Sequence, residues 1–91
     1  MPDTRQLSDL RSIGPAMLAD FQLLKIKSVS ALARQNPTNL YHKLCKLTHS
    51  RQDPCVLDTF TCAIAQAKNP HLPKQKCNWF YWSKIRKAAA K

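Results

Sequence analysis

LRSIGPAMLA, the stretch at residues 10–19, decides the fold of this chain. Gly14 is the only glycine in the sequence, and it stands between Ile13 and Pro15. Because glycine adopts a positive φ without steric cost, its position predicts a tight turn at Gly14. Proline suits the first turn of a helix, so Pro15 predicts where the following helix begins. The stretch therefore indicates two short helices joined by a hairpin.

Working outward from this turn, apolar spacing and capping signals predict five helices. Ser28 predicts the N-cap of the third helix. Asn36-Pro37 and Asp53-Pro54 repeat one signal, a capping side chain followed by proline, and predict where the fourth and fifth helices begin. The predicted helices cover residues 5–11, 15–24, 29–35, 37–48 and 54–68.

The predicted fold class is all-α, because no stretch shows the two-residue alternation of a β-strand. We expect residues 1–68 to form one helical domain, and residues 69–91 to form a basic, Trp-rich C-terminal extension that packs partly on it. Within the extension, we expect residues 69–78 to be an extended linker and Ser83 to cap a short terminal helix. We expect the core to contain Leu18, Phe21, Leu32, Leu44, Phe60 and Ile64.

Positive charge increases along the chain. Lys and Arg number 15 against five acids, for a net charge of +10. Residues 1–20 carry two bases and three acids, residues 21–58 carry six and two, and residues 59–91 carry seven bases and no acid. This gradient favours a polyanionic partner, most often nucleic acid, over a surface that charge merely keeps solvated. Since no apolar run suits a membrane span or a signal peptide, we expect a cytoplasmic protein with no membrane partner.

Residues 10–19 resemble the helix-hairpin-helix motif, and LKIKSV at residues 24–29 resembles the entry to its second half. Together with Leu44-Cys45, RQDPCVLD at residues 51–58 and the Trp-rich end, the chain is similar to the bacterial pathogenicity locus family. Its members are small helix-hairpin-helix proteins, often labelled mitomycin-resistance-like. The resemblance implies a SAM-like or tandem helix-hairpin-helix bundle. It also implies sequence-nonspecific DNA binding through hairpin amides, with a link to the DNA-damage response.

The predicted nucleic-acid contacts join this hairpin to nearby cations. Amides at a helix start, with the positive end of the helix dipole, can bind a phosphate. This sequence departs from the motif at Ser12, where glycine is usual, and at Ala16, where a base is common. The predicted set is Arg11, Ser12, Ile13, Gly14, Pro15, Lys25, Lys27, Lys84, Arg86 and Lys87.

Two classes of partner remain open. The first is nucleic acid, most simply duplex DNA, and the second is another protein, which the hairpin and the aromatic tail would grip as an adaptor. The consecutive aromatic residues at positions 79–82 fit either class, because they could stack on nucleobases or fold back onto the core. We expect at least two of the four to pack inward.

No catalytic, metal or cofactor site is predicted. The Asp, His and Cys residues form no recognisable set of nucleophile, base and orienting group, so we expect no enzymatic activity. His42 and His49 would lie about 10 Å apart along a helix, too far to share one zinc ion. With no sign of secretion, we expect reduced cysteines. Cys55, at a helix start, is the candidate reactive thiol, and its alternative role is packing.

Overall fold

A computed structural model describes residues 5–89, which form five α-helices and two 3-10 segments and contain no β-strand. The helices are α1 (Pro15–Leu23), α2 (Val29–Ala33), α3 (Pro37–Thr48), α4 (Pro54–Lys68) and α5 (Trp79–Ala89). The 3-10 segments cover Leu7–Asp9 and Lys74–Cys77. The all-α prediction is confirmed for these residues. Residues 1–4 of the predicted helical domain and residues 90–91 of the predicted C-terminal extension lie outside the described part. Within residues 5–89, no helix combines the length and apolarity that crossing a membrane requires.

The starts of α2, α3 and α4 agree with the capping signals in the sequence. In each helix, the N-cap side chain accepts a hydrogen bond from a backbone amide two or three residues further on. The three pairs are Ser28 with Ala31 at 3.0 Å, Asn36 with Asn39 at 3.1 Å, and Asp53 with Cys55 at 2.8 Å. Local sequence therefore decides where these helices begin.

The core forms around α4, against which α2, α3 and α5 pack. Five of the six residues predicted for the core are buried there: Phe21, Leu32, Leu44, Phe60 and Ile64. The sixth, Leu18, is half-buried, because it lines a groove between α1 and the N-terminal segment. Met17, its neighbour in α1, is buried instead.

The prediction of a first helix over residues 5–11 is wrong. Only the 3-10 segment Leu7–Asp9 forms there. The Asp9 carboxylate accepts a hydrogen bond from the Gln6 amide at 2.7 Å, and the Asp9 amide donates back to the Gln6 carbonyl at 2.9 Å. Leu10 then leaves in an extended conformation and is buried in the core. The Gln6–Asp9 hydrogen bonds thus close a short turn, and the chain then leaves the helical conformation to bury Leu10.

The predictions that residues 69–78 are an extended linker and that Ser83 caps a terminal helix are also wrong. Lys74–Cys77 is a 3-10 segment, and α5 begins at Trp79. The Asn78 side chain caps that start by accepting the Phe80 amide at 3.0 Å. Ser83 is buried in the middle of α5, which packs against α4. The C-terminal residues up to Ala89 are therefore a packed helix.

Candidate nucleic-acid interface

The segment predicted to be the hairpin, residues 11–14, lies between the 3-10 segment Leu7–Asp9 and α1. It turns at Ser12, and the prediction of a positive φ at Gly14 is wrong. Ser12 has φ 66°, whereas Gly14 has extended backbone with φ −104°. The Ser12 hydroxyl donates to the Cys77 carbonyl at 3.1 Å and accepts from the Trp79 amide at 3.4 Å. These two hydrogen bonds offset the strain of a left-handed serine and join the hairpin to the start of α5.

Gln66, a buried residue of α4, holds the other side of the hairpin. Its side-chain oxygen accepts the Arg11 amide at 2.8 Å, and its side-chain nitrogen donates to the Arg11 carbonyl at 2.8 Å. These two hydrogen bonds fix the backbone of Arg11. Its side chain is exposed, so its charge faces solvent. Gln66 was not among the predicted site residues, although a single amide side chain between Ile64 and Ala67 of an apolar helix is a signal visible in the sequence.

The N-terminus of α1 is exposed and lacks a side-chain cap. Gly14 is its N-cap residue and makes no side-chain hydrogen bond, and Pro15 has no amide hydrogen. Gly14, Pro15 and Ala16 are all exposed, while Ile13 is half-buried against the core. A Cβ built on Gly14 would meet no atom within 4 Å. Neither backbone angle nor space therefore requires glycine here, and Gly14 has no side chain that could cap the first amides of α1.

Lys25 and Lys27 do not lie beside the hairpin, because they follow the opposite end of α1. Nine helical residues rise about 13 Å. Lys25, two residues after the last residue of α1, has φ 61°, and its amide donates to the Gln22 carbonyl at 3.0 Å. Lys27 lines the groove that also contains Leu18. Both lysines are exposed, so any contact that they make with an anion would lie away from the hairpin.

The three cations of α5 differ in their surroundings. Arg86 donates two hydrogen bonds to the carboxylate of Asp58, from Nε at 2.8 Å and from Nη2 at 3.1 Å. Asp58 is only 2% exposed, so Arg86 neutralises a buried charge and ties α5 to α4. Lys84 and Lys87 are exposed. We therefore assign Arg86 a structural role and keep the two lysines as candidate phosphate contacts.

Two of the thiols, those of Cys55 and Cys62, have a raised pKa. Hydrogen bonding to Asp53 is the main cause that raises the pKa of Cys55, and burial raises the pKa of Cys62 to about 11. A raised pKa leaves less of the nucleophilic thiolate, so both shifts oppose reactive-thiol chemistry. Within residues 5–89, no three His, Cys, Asp or Glu side chains are grouped as metal ligands.

Comparison with known proteins places this helical architecture in a family. Residues 2–88 match the pathogenicity locus family, Cdd1. The mitomycin resistance protein McrB of Streptomyces lavendulae is 29% identical over 85 residues, which cover 93% of this chain and 77% of that protein. No solved structure matches the chain.

Proposed function

From the premise that this chain belongs to the pathogenicity locus family, we propose that it is a non-enzymatic module that binds DNA without reading its sequence. Backbone phosphates are the groups that it recognises. The protein donates hydrogen bonds from backbone amides at the start of α1 and supplies positive charge from exposed lysine and arginine side chains. Such contacts position a protein on DNA but carry no base information.

The observation that supports this proposal most strongly is that Gly14 stands at the N-cap of α1. Aspartate, asparagine and serine are favoured N-caps, and α2, α3 and α4 use one of each. At α1 the chain has its only glycine, with ordinary backbone angles and empty space at the Cβ position. A glycine that the fold does not need leaves the amides of α1 uncovered and lets another backbone approach them.

In the proposed complex, one phosphate lies at the amides of Ala16 and Met17, with the Arg11 guanidinium beside it. The hydrogen bonds from Gln66 and Ser12 fix this hairpin before DNA arrives, so little ordering is needed on binding. Lys84 and Lys87 of α5 would contact phosphates on one side. Lys25 and Lys27 would contact phosphates beyond the other end of α1.

A link to the DNA-damage response is part of this proposal. Its support is the relative's name, which connects that protein with mitomycin resistance. Binding to DNA backbone without sequence preference would suit a protein that meets damage at any site.

Changing Lys25 and Lys27 together to alanine tests the cations at the far end of α1. Each phosphate contact contributes about −0.9 to the slope of log K against log salt, so the slope on duplex DNA should become shallower by up to about 2. The loss of affinity should be equal on unrelated sequences. Fluorescence anisotropy titrations of labelled duplexes at several salt concentrations would measure both.

Lys43→Ala with Lys46→Ala is the matched control, because it removes the same charge from exposed positions of α3. We expect this control to keep the parent's slope. If the slope becomes as shallow in the control as in the Lys25 and Lys27 variant, DNA binds diffusely to the positive surface and not at a defined site. If the Lys25 and Lys27 variant binds with the parent's slope, those two lysines contact no phosphate.

A further inference from the structure

Two rings at the start of α5 form an aromatic pair, in which Trp79 is half-buried and Phe80 is exposed. Phe80 is 56% exposed, and its ring lies against that of Trp79 with centroids 3.9 Å apart and planes 31° apart. The next two aromatic residues are held by the protein instead. The Trp82 indole donates to the Lys76 carbonyl at 2.8 Å, and the Lys76 ammonium lies 5.9 Å from the centre of the Tyr81 ring. The outer face of the Trp79–Phe80 pair is therefore available to a planar partner.

The aromatic pair adjoins the hairpin. Ser12 hydrogen-bonds directly to the Trp79 amide and to the carbonyl of Cys77, two residues before Trp79. A strand bound at the hairpin would thus also meet the start of α5, where Phe80 lies. The pair extends the candidate interface and is not an isolated apolar patch elsewhere on the surface.

The charges around the pair suit a nucleic-acid strand. Lys84 and Lys87 follow Phe80 by four and seven residues, so all three lie on one face of α5, and all three are exposed. No acidic residue occurs after Asp58 in the sequence. Alternating rings and cations are the usual means by which proteins bind unpaired nucleic acid, with bases on the rings and phosphates on the cations.

We infer that the Trp79–Phe80 pair stacks on an unpaired base, so that this protein prefers DNA with a single-stranded stretch over intact duplex. The inference rests on the proposed function and specifies the form of DNA bound. In an intact duplex each base already stacks on its neighbours and presents only its edges to a protein. An aromatic ring gains a stacking partner only where a base is unpaired, as in a gap, an overhang or a single strand.

The test compares Phe80→Ala with the parent on a labelled duplex and on the same duplex carrying a short single-stranded gap. Loss of one stacking partner should weaken binding to gapped DNA about 5- to 100-fold and leave duplex binding unchanged. The parent's tryptophan fluorescence should fall on binding gapped DNA, because Trp79 lies in the stack. Far-UV circular dichroism would establish that the variant is folded, as an exposed side chain predicts.

Ile85→Ala is the matched control, since Ile85 is 46% exposed on α5 but lies about 140° around the helix from Phe80. This variant should bind both DNAs as the parent does. Equal binding of gapped DNA by Phe80→Ala and the parent would overturn the stacking inference while leaving the phosphate site intact. An equal loss on both DNAs would also overturn it. If the parent binds neither DNA, the proposed function itself fails and the pair is a protein contact.

Discussion

Replacing Phe60 with alanine should lower the free energy of unfolding by about 3–5 kcal/mol. Phe60 is fully buried in the middle of α4, the helix against which α2, α3 and α5 pack. Its ring stacks on that of Phe21, with centroids 5.9 Å apart and planes 29° apart. Truncation removes this contact and leaves a cavity that the surrounding helices can fill only in part. For a domain of ordinary stability, most of the folding free energy would be lost.

Urea denaturation followed by far-UV circular dichroism would measure this loss. Phe80→Ala is the control, because it makes the same chemical change at an exposed position and should change stability by less than about 0.5 kcal/mol. Phe60→Leu keeps most of the buried volume and provides a folded variant if Phe60→Ala does not fold. A loss below about 1 kcal/mol for Phe60→Ala would contradict the central position that we assign to this ring.

Replacing Gly14 with aspartate should weaken duplex DNA binding about 10- to 100-fold without weakening the fold. The extended backbone at Gly14 suits an N-cap aspartate, and its Cβ would enter open space. The new carboxylate would accept an amide of α1, as Asp53 does from Cys55 in α4. It would thereby take the place of the phosphate and repel it. Stability should stay equal or rise by a few tenths of a kcal/mol.

Two controls accompany this variant. Gly14→Ala adds a methyl group without charge or acceptor, so it should weaken binding less than Gly14→Asp does. Thr38→Asp adds the same negative charge at an exposed position of α3 and should reduce binding only slightly. Anisotropy titrations of one labelled duplex at fixed salt would compare all four proteins. Parent-like affinity of Gly14→Asp would show that the start of α1 binds no phosphate.

The helices that local signals define were predictable from the sequence. Each start of α2, α3 and α4 follows from one capping side chain and its nearby amide, so no distant residue is needed to place it. The apolar stripe of α4 likewise predicted Phe60 and Ile64 in the core. The C-terminal segment was harder, because four consecutive aromatic residues obscure the helical period. Packing against α4 decides that Ser83 is internal to α5.

The candidate site was less predictable, because long-range contacts shape it. The sequence could not show that Asp58 would pair with Arg86, 28 residues away. Nor could it show that Gln66 would hold the backbone of Arg11. Ser12 is the instructive case: the left-handed residue of the turn is a serine, whose hydroxyl has partners that lie 65 or more residues later in the chain. The lone glycine therefore pointed to the correct turn, the one before α1, but to the wrong residue within it.

Titration of duplex DNA with the unmodified protein between about 50 mM and about 200 mM salt would show whether this protein recognises backbone phosphates. If the hairpin, the two lysines that follow α1 and the two lysines of α5 engage about three to six phosphates, log K should fall against log salt with a slope of about −3 to −5. The slope should be the same for unrelated sequences, since phosphate contacts carry no base information. A folded protein with no salt-sensitive affinity for duplex DNA would contradict the account, and the hairpin would then be a surface for binding another protein.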